Sequence, residues 1–248
     1  MHDLVTLLGL FKIVTEDLSA EKYVTASLVI PLTNLLKQEI KQTKISTAIG
    51  LSVLNDLLKG IEDRLVPLQE NLILAKATIL DPRFKKLHVM SAMAAANAIT
   101  DLSKEIISEH KIRGNRSPTV GVSPRVEKET TSLLWDRHED MLLKNMFNAS
   151  EVFGKSFSAI PAELKQCLDQ PNILRSSNAL KFWIDSRHFT PVLSEIAAKY
   201  LISSATSVAS ERIASTINLL VPNNCSSQIA EHKKRVFLKT LTEKYWYA

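Results

Sequence analysis

Two short stretches near the end of the chain carry its clearest structural pattern: PVLSEIAAKYL at residues 191–201 and SVASER at residues 207–212. In the first stretch, apolar residues recur at intervals of three and four, so they share one face of a helix: Val192, Leu193, Ile196, Ala197, Tyr200 and Leu201. Thr190 followed by Pro191 is typical of a helix N-cap with proline in the first turn. The pattern therefore predicts a helix that begins at Pro191.

Two further apolar patterns follow this helix. The first of them begins just after Ser207 and consists of Ala209, Ile213, Ile217 and Leu220. The second consists of Ile229, Val236, Phe237, Thr240 and Leu241. Three helices in about sixty residues, roughly 178–241, predict a compact helical module.

The motifs of this module occur in a characteristic order: Phe182-Trp183, Pro191-Val192-Leu193, Ile196-Ala197, Tyr200-Leu201, Ser207-Val208 and Ser210-Glu211-Arg212. This order resembles the C-terminal dimerisation region of hAT-superfamily transposases and of their domesticated relatives, the BED-type zinc-finger proteins. Upstream, Leu80-Asp81-Pro82-Arg83-Phe84-Lys85 is similar to a second element of the family. The chain departs from the family after Arg212, where Ile213-Ala214-Ser215 replaces the usual aromatic, serine and glycine.

Composition favours helices throughout the chain. Of its 248 residues, 45% are hydrophobic and only six are glycine, which argues for a folded and helix-rich protein. Strictly alternating strand patterns are absent. We therefore expect a mainly α fold made of one or more helical bundles. By the resemblance, it would be the C-terminal part of an RNase H-like hAT transposase without its sheet.

The helical patterns predict a particular domain organisation. Predicted helices cover residues 3–14, 23–40 with a kink or restart at Pro31, 46–65 and 68–80. A further helix is expected to start at an Asp81 N-cap and to run to about residue 106. Two prolines and two glycines then predict a flexible linker at residues 113–125, between helical regions 1–112 and 126–248.

Several functional classes find no support in the sequence. Cys167 and Cys225 are the two cysteines, too few and too distant for a disulfide framework or a zinc site, and we expect no metal and no cofactor. The sequence contains no glycine-rich phosphate loop, no nucleophile elbow and no apolar run long enough to span a membrane. We therefore expect a soluble intracellular protein, for which the resemblance implies a nuclear location.

Glu211 is the candidate catalytic residue. In active hAT transposases, the matching glutamate completes an acidic triad with two aspartates, and such sites hold metal ions with several carboxylates. The resemblance places those aspartates upstream of this chain, so we expect Glu211 to be vestigial and the chain not to be an enzyme. Its structural interpretation is a glutamate in the first turns of a helix, where it is favoured by the helix dipole.

The resemblance implies self-association. We expect a protein dimerisation module, whose partner is a second copy or a related hAT-derived protein. Its candidate interface residues are apolar: Phe182, Trp183, Leu193, Ile196, Tyr200, Leu201, Val236, Phe237 and Leu241. Some of these must instead form intramolecular core.

Two alternatives remain open. One is DNA binding or transcriptional regulation, for which the net charge of +5 and the group Lys233, Lys234 and Arg235 offer phosphate contacts, although a solvated helix face is the commoner explanation for such a group. The other is a fragment of an active DNA transposase, a metal-dependent nuclease.

Overall fold

The computed structural model describes residues 2–20, 23–114 and 160–220. Between residues 216 and 220 it describes the backbone alone. Nine α-helices account for most of these residues, and none of them lies in a strand, which confirms the predicted all-α class. The helices are α1 (His2–Leu18), α2 (Val29–Gln42), α3 (Ala48–Arg64), α4 (Leu72–Leu80), α5 (Ala92–Arg113), α6 (Ala162–Asp169), α7 (Ala179–Ser186), α8 (Pro191–Leu201) and α9 (Val208–Leu220). Two 3₁₀ helices, Ala26–Leu28 and Val66–Glu70, precede α2 and α4.

Polar side chains fix where four of these helices begin. The side chains of Thr47, Asn71, Ser91 and Asn178 accept hydrogen bonds from the free N–H groups in the first turns of α3, α4, α5 and α7. The prediction for residues 46–65 is close to α3, whereas α1 continues four residues beyond the predicted end. Pro31 does not break α2, because it is the third residue of that helix, where an N–H group would have no partner within the helix.

The predicted helix that starts at Asp81 is wrong. Residues 82–88 form successive turns, and α5 begins only at Ala92 with Ser91 as its N-cap. Asp81 instead follows the last residue of α4, and its N–H group donates to the carbonyl of Thr78. The Asp-Pro pattern fits a helix start, but here the carboxylate of Asp81 binds other side chains, as described below.

The chain divides into two compact units, residues 1–205 and 206–248. Two hydrophobic clusters form the interior of the first unit. The N-terminal cluster comprises the buried residues Leu7, Leu10, Val14, Leu28, Leu32, Leu35, Leu36, Ile40, Ile61 and Phe84, which belong mainly to α1, α2 and α3. The central cluster comprises Val24, Ile30, Ala75, Ile79, Leu80, Ala98, Ile99, Leu102, Ile106, Leu164, Cys167, Ala179, Trp183, Val192, Leu193, Ile196, Ala197 and Leu201.

The central cluster joins segments that are far apart in sequence. Helices α4 and α5 supply one part of it, α6, α7 and α8 supply another, and Val24 and Ile30 come from the N-terminal side. The predicted linker at 113–125 lies almost entirely outside the described residues and stays a prediction. No helix in the described part of the chain is both long and apolar enough to cross a membrane.

Candidate functional site

A short segment between α4 and α5 contacts much of the C-terminal part of the first unit. We call residues 80–85, Leu-Asp-Pro-Arg-Phe-Lys, the clamp segment. The carbonyl of Leu80 accepts a hydrogen bond of 2.9 Å from the indole N–H of Trp183 in α7. The carbonyl of Pro82 accepts one of 3.1 Å from the backbone N–H of Ile173. The clamp segment therefore holds the chain that leads into α7, as well as α7 itself.

Lys85 makes the densest set of these contacts. Its ammonium donates to the carbonyls of Cys167 and Gln170, each at 2.6 Å, and to that of Pro171 at 3.3 Å. These carbonyls lie at the end of α6, where helical carbonyls have no partner within the helix and a cation is favoured by the helix dipole. Burial lowers the pKa of Lys85, although Cys167 and Asp169 oppose this shift.

Asp81 and Arg83 form a buried ion pair within the clamp segment. The guanidinium of Arg83 donates to both carboxylate oxygens of Asp81, at 2.9 and 2.7 Å, and the hydroxyl of Ser27 donates to the same carboxylate at 2.6 Å. All three residues are buried. A charge pair removed from water is tolerated only when its remaining donors and acceptors are satisfied, so this arrangement fixes the turn closely.

A second polar network joins α4, α5 and α8. The ammonium of Lys76, on a buried residue of α4, lies 3.0 Å from the hydroxyl of Tyr200 and 3.2 Å from the carboxylate of Glu105. Tyr200 in turn donates to Glu105 at 2.8 Å. Burial would lower the pKa of Lys76, but hydrogen bonds to Asp101, Tyr200 and Glu105 outweigh it and raise that pKa, so the ammonium remains charged.

Glu163 supports the start of α8 from a distant position in sequence. Its carboxylate accepts a hydrogen bond of 2.7 Å from the backbone N–H of Leu193, in the first turn of α8. The other carboxylate oxygen lies 3.2 Å from Nε2 of His110 in the last turn of α5. Thr190 occupies the predicted N-cap position, but its hydroxyl donates to the carbonyl of Ser186 instead, so Glu163 takes over the capping role.

The predicted interface residues fall into three groups. Four of them, Trp183, Leu193, Ile196 and Leu201, are buried in the central cluster of their own chain. Phe182 and Tyr200 are half-buried against that cluster, and Phe182 packs edge-on against Trp183 with ring centroids 5.3 Å apart. The remaining three lie outside the described residues: Val236, Phe237 and Leu241. For the four buried side chains, the intramolecular alternative accounts for their apolar character.

Other apolar side chains of the same region are exposed. Ile184 in α7 and Phe189 after it are accessible, as are Ile202 at the end of α8 and, in the second unit, Ile213 in α9. In the sequence, the apolar character of these residues does not distinguish them from the buried ones. Their exposure makes them available to a partner in a way that Trp183 is not.

Glu211 lies in the first turn of α9 and is exposed. One of its carboxylate oxygens accepts a hydrogen bond of 2.6 Å from the hydroxyl of Ser207, so its local contact is with the start of its own helix. Among the residues that the structure describes, no three His, Cys, Asp or Glu side chains are grouped so that they could hold a metal ion. The predicted basic group Lys233, Lys234 and Arg235 lies outside the described residues.

Part of the chain matches the model of a known protein family. The model for the hAT family C-terminal dimerisation region matches residues 163–235. This part of the chain is similar to the hAT dimerisation region. The match begins at Glu163, in the first turn of α6, and includes α6, α7, α8 and α9. Neither a search of curated proteins nor a search of solved structures gave a match.

The match confirms the hAT-related character that the motif order predicted, and it extends the region upstream of residue 178. Sequence reasoning missed Lys76 and Glu163, and it named Lys85 as part of a motif without a role; these residues bind the dimerisation region or lie within it. The motif Leu80–Lys85 pointed to the clamp segment. No local pattern marks Lys76 or Glu163, since each is a charged residue on an otherwise ordinary helix.

Proposed function

We propose that this chain self-associates through its hAT dimerisation region and forms a homodimer. The observation that carries the proposal is the family match at residues 163–235. An exposed isoleucine by itself is ordinary on a protein surface, so the exposed side chains alone would carry nothing. Within a region of this family, however, they are the natural contacts for a second copy.

The mechanism we propose is burial of apolar surface that the chain itself leaves accessible. The candidates are Ile184, Ile202 and Ile213, and not the four predicted residues that already pack in the central cluster. Removing such side chains from water on association is favourable by roughly 25 cal/mol per Å² of apolar area. The half-buried rings of Phe182 and Tyr200 extend the set of candidates.

We also propose that the chain does not act as a nuclease. Glu211 supports this, because its carboxylate is engaged with Ser207 at the start of α9 and serves there as a first-turn acid. Two-metal hydrolysis needs several carboxylates around the ions. Incubation of the purified chain with DNA and Mg²⁺ or Mn²⁺ tests this, and cleavage that Glu211→Gln abolishes would contradict it.

Light scattering across a dilution series of the full chain tests self-association. We expect a mass that approaches twice 27.7 kDa as concentration rises. A mass that stays at 27.7 kDa throughout the micromolar range would overturn the proposal.

Charge-introducing variants locate the interface. We expect at least one of Ile184→Lys, Ile202→Lys and Ile213→Lys to weaken the dimer by about tenfold or more, since a charge would have to be desolvated there. Ile49→Lys is the matched control, because Ile49 lies in α3, outside the dimerisation region, and is 72% exposed, as Ile202 is. If Ile49→Lys weakened the dimer as much as these three variants, the dimer contact would not be specific to the dimerisation region.

A further inference from the structure

The clamp segment has two faces that contact different parts of the first unit. On one face, Asp81 binds Ser27, and the ring of Phe84 is fully buried in the N-terminal cluster. On the other face, the backbone carbonyls of Leu80, Pro82 and Arg83 accept hydrogen bonds from residues 172–183 of the dimerisation region. A segment of six residues thus connects the N-terminal helices to the family-specific part of the chain.

Lys85 ends this segment in an uncommon backbone conformation. Its φ is +49°, and among the described residues it is the one non-glycine residue with a positive φ. Residues other than glycine rarely adopt this backbone conformation. It persists where the surroundings fix it, and such residues cluster at functional positions. Here three carbonyls, those of Cys167, Gln170 and Pro171, hold the ammonium in place.

The chain between α6 and α7 has little structure of its own. Residues 170–178 contain no helix, so contacts with other segments determine their course. Lys85 fixes the beginning of this connection, and the side chain of Asn172 donates to the carbonyl of Arg83 at 2.9 Å in its next part. The connection leads directly into α7 and, through the turn at residues 187–190, into α8, so its path contributes to the positions of both helices beside their own contacts with α4, α5 and α6.

We propose that Lys85 is a positioning residue for the dimerisation region. By fixing the end of α6, it determines where the chain enters α7 and so which surface α7 and α8 present to a second copy. This inference rests on the proposed self-association. It assigns a role in that function to a residue 78 positions upstream of the start of the family match (163 − 85).

The variant Lys85→Met of the full chain tests the proposal. Methionine keeps the apolar stem of lysine but removes the ammonium, so three carbonyls lose their donor. Relative to the unaltered chain, we expect faster hydrogen exchange at the backbone amides of residues 172–186 and unchanged exchange at those of α1. We also expect a dimer dissociation constant raised by about tenfold or more.

Two controls separate positioning from loss of charge and from general instability. Lys59→Met removes an exposed lysine of α3 and should change neither measurement. Ile61→Val removes one methyl group from the N-terminal cluster, so it should destabilise the unit without a local change at residues 172–186. The proposal would be overturned if Lys85→Met exchanged faster throughout the first unit and its dimer dissociation constant equalled that of Ile61→Val.

A second variant keeps the test decisive if Lys85→Met does not fold. Asn172→Ala removes one contact of the same connection and should show the same local exchange pattern with a smaller amplitude. Unchanged exchange at residues 172–186 in Asn172→Ala would then overturn the proposal. If the unaltered chain proves monomeric, self-association fails, whereas the exchange measurement still decides whether Lys85 positions α7.

Discussion

The N-terminal cluster and the central cluster differ in how much charge is buried beside them. In the first, α1, α2 and α3 pack mainly through aliphatic side chains, Asp3 is the one buried charged residue of these three helices, and ion pairs such as Lys37–Glu62 lie at an accessible edge. Beside the second and in the adjoining clamp segment, five charged residues are buried: Lys76, Asp81, Arg83, Lys85 and Glu163. Apolar packing is not directional, whereas a buried charge requires partners at particular positions.

This difference predicts different sensitivities. The N-terminal cluster should respond mainly to the volume of its side chains, because volume and apolar area set its stability. The central cluster should respond in addition to the loss of single polar atoms. It contains the buried apolar residues of α6, α7 and α8, so the geometry of these helices is tied to distant residues such as Lys85 and Lys76.

The largest effect is expected for Asp81→Ala. The change leaves the buried guanidinium of Arg83 without its carboxylate and also removes the acceptor of the Ser27 hydroxyl. Breaking a buried pair by removing one partner costs about 3–5 kcal/mol in the free energy of unfolding. Urea denaturation monitored by circular dichroism measures it.

A double variant sharpens this result. In Asp81→Ala with Arg83→Met no unpaired charge remains, so the loss should be smaller than that of Asp81→Ala alone. A loss for Asp81→Ala below about 1 kcal/mol, the range of an exposed pair, would mean that the carboxylate contributes no more than a surface charge.

The N-terminal cluster provides the contrasting case at Leu35. This residue is fully buried in α2, so Leu35→Ala should cost about 2–5 kcal/mol through lost apolar contact and a cavity. Leu35→Met nearly conserves the volume and should cost less than about 1.5 kcal/mol. Equal losses for the two variants, measured by urea denaturation, would show that this cluster depends on more than side-chain volume.

The same contrast explains what the sequence could predict. Helix α3 was expected from its apolar stripe and α8 from Pro191 and its spacing, because periodicity is a local property that follows from helix geometry. The motif order also indicated the family. The prediction for residues 81–91 was wrong. Asp81-Pro82 has the pattern of a helix start, but the carboxylate of Asp81 binds the distant Ser27 and the nearby Arg83 instead of capping a helix.

The candidate site was less predictable than the fold. Trp183, Leu193, Ile196 and Leu201 are apolar at helical spacing, and that pattern is identical for a core and for an interface. Only the position of α4 and α5 against α8 shows that these residues are covered. Similarly, nothing near Glu163 in sequence reveals that its carboxylate reaches the backbone of Leu193, thirty residues away.

A smaller effect is expected from the thiol of Cys167 at alkaline pH. Burial in the central cluster raises its pKa from 9.0 to about 11, although nearby Lys85 opposes this. Between these values, the unfolded chain has released the proton and the folded chain still holds it, so stability falls as pH rises from about 9 to about 11. A shift of this size corresponds to about 2–3 kcal/mol.

Cys167→Ala provides the measurement. The variant is less stable at neutral pH because it leaves a cavity, but it should lack the part of the alkaline decline that comes from the thiol. Lys85 acts in the opposite direction in both proteins, because its pKa is lowered and the unfolded chain then binds more protons. The difference in slope between the two proteins therefore reports the thiol of Cys167 together with its interaction with Lys85, and identical slopes in urea denaturation across this pH range would contradict the prediction.

The smallest effects are expected from two glycines in α3, at the edge of the N-terminal cluster. In an exposed helix interior, glycine to alanine stabilises by up to about 1 kcal/mol because glycine is a poor helix former. A Cβ at Gly60 would meet nothing within 4 Å, so Gly60→Ala should show this gain. At Gly50, a Cβ would lie 2.6 Å from Cγ2 of Ile45 and 2.7 Å from the hydroxyl oxygen of Thr47.

Gly50→Ala should therefore be destabilising, although alanine is the better helix former. The hydroxyl of Thr47 cannot move freely, since it accepts from the N–H of Gly50 at 3.1 Å and donates to the carboxylate of Asp3 at 2.6 Å. The hydrogen bond from Thr47 holds the pKa of Asp3 below its usual value, although burial opposes the shift. Thermal unfolding of both variants checks the opposite signs. If Gly50→Ala stabilised as much as Gly60→Ala, the contact that joins the starts of α1 and α3 would be loose, and the N-terminal cluster would depend on aliphatic packing alone.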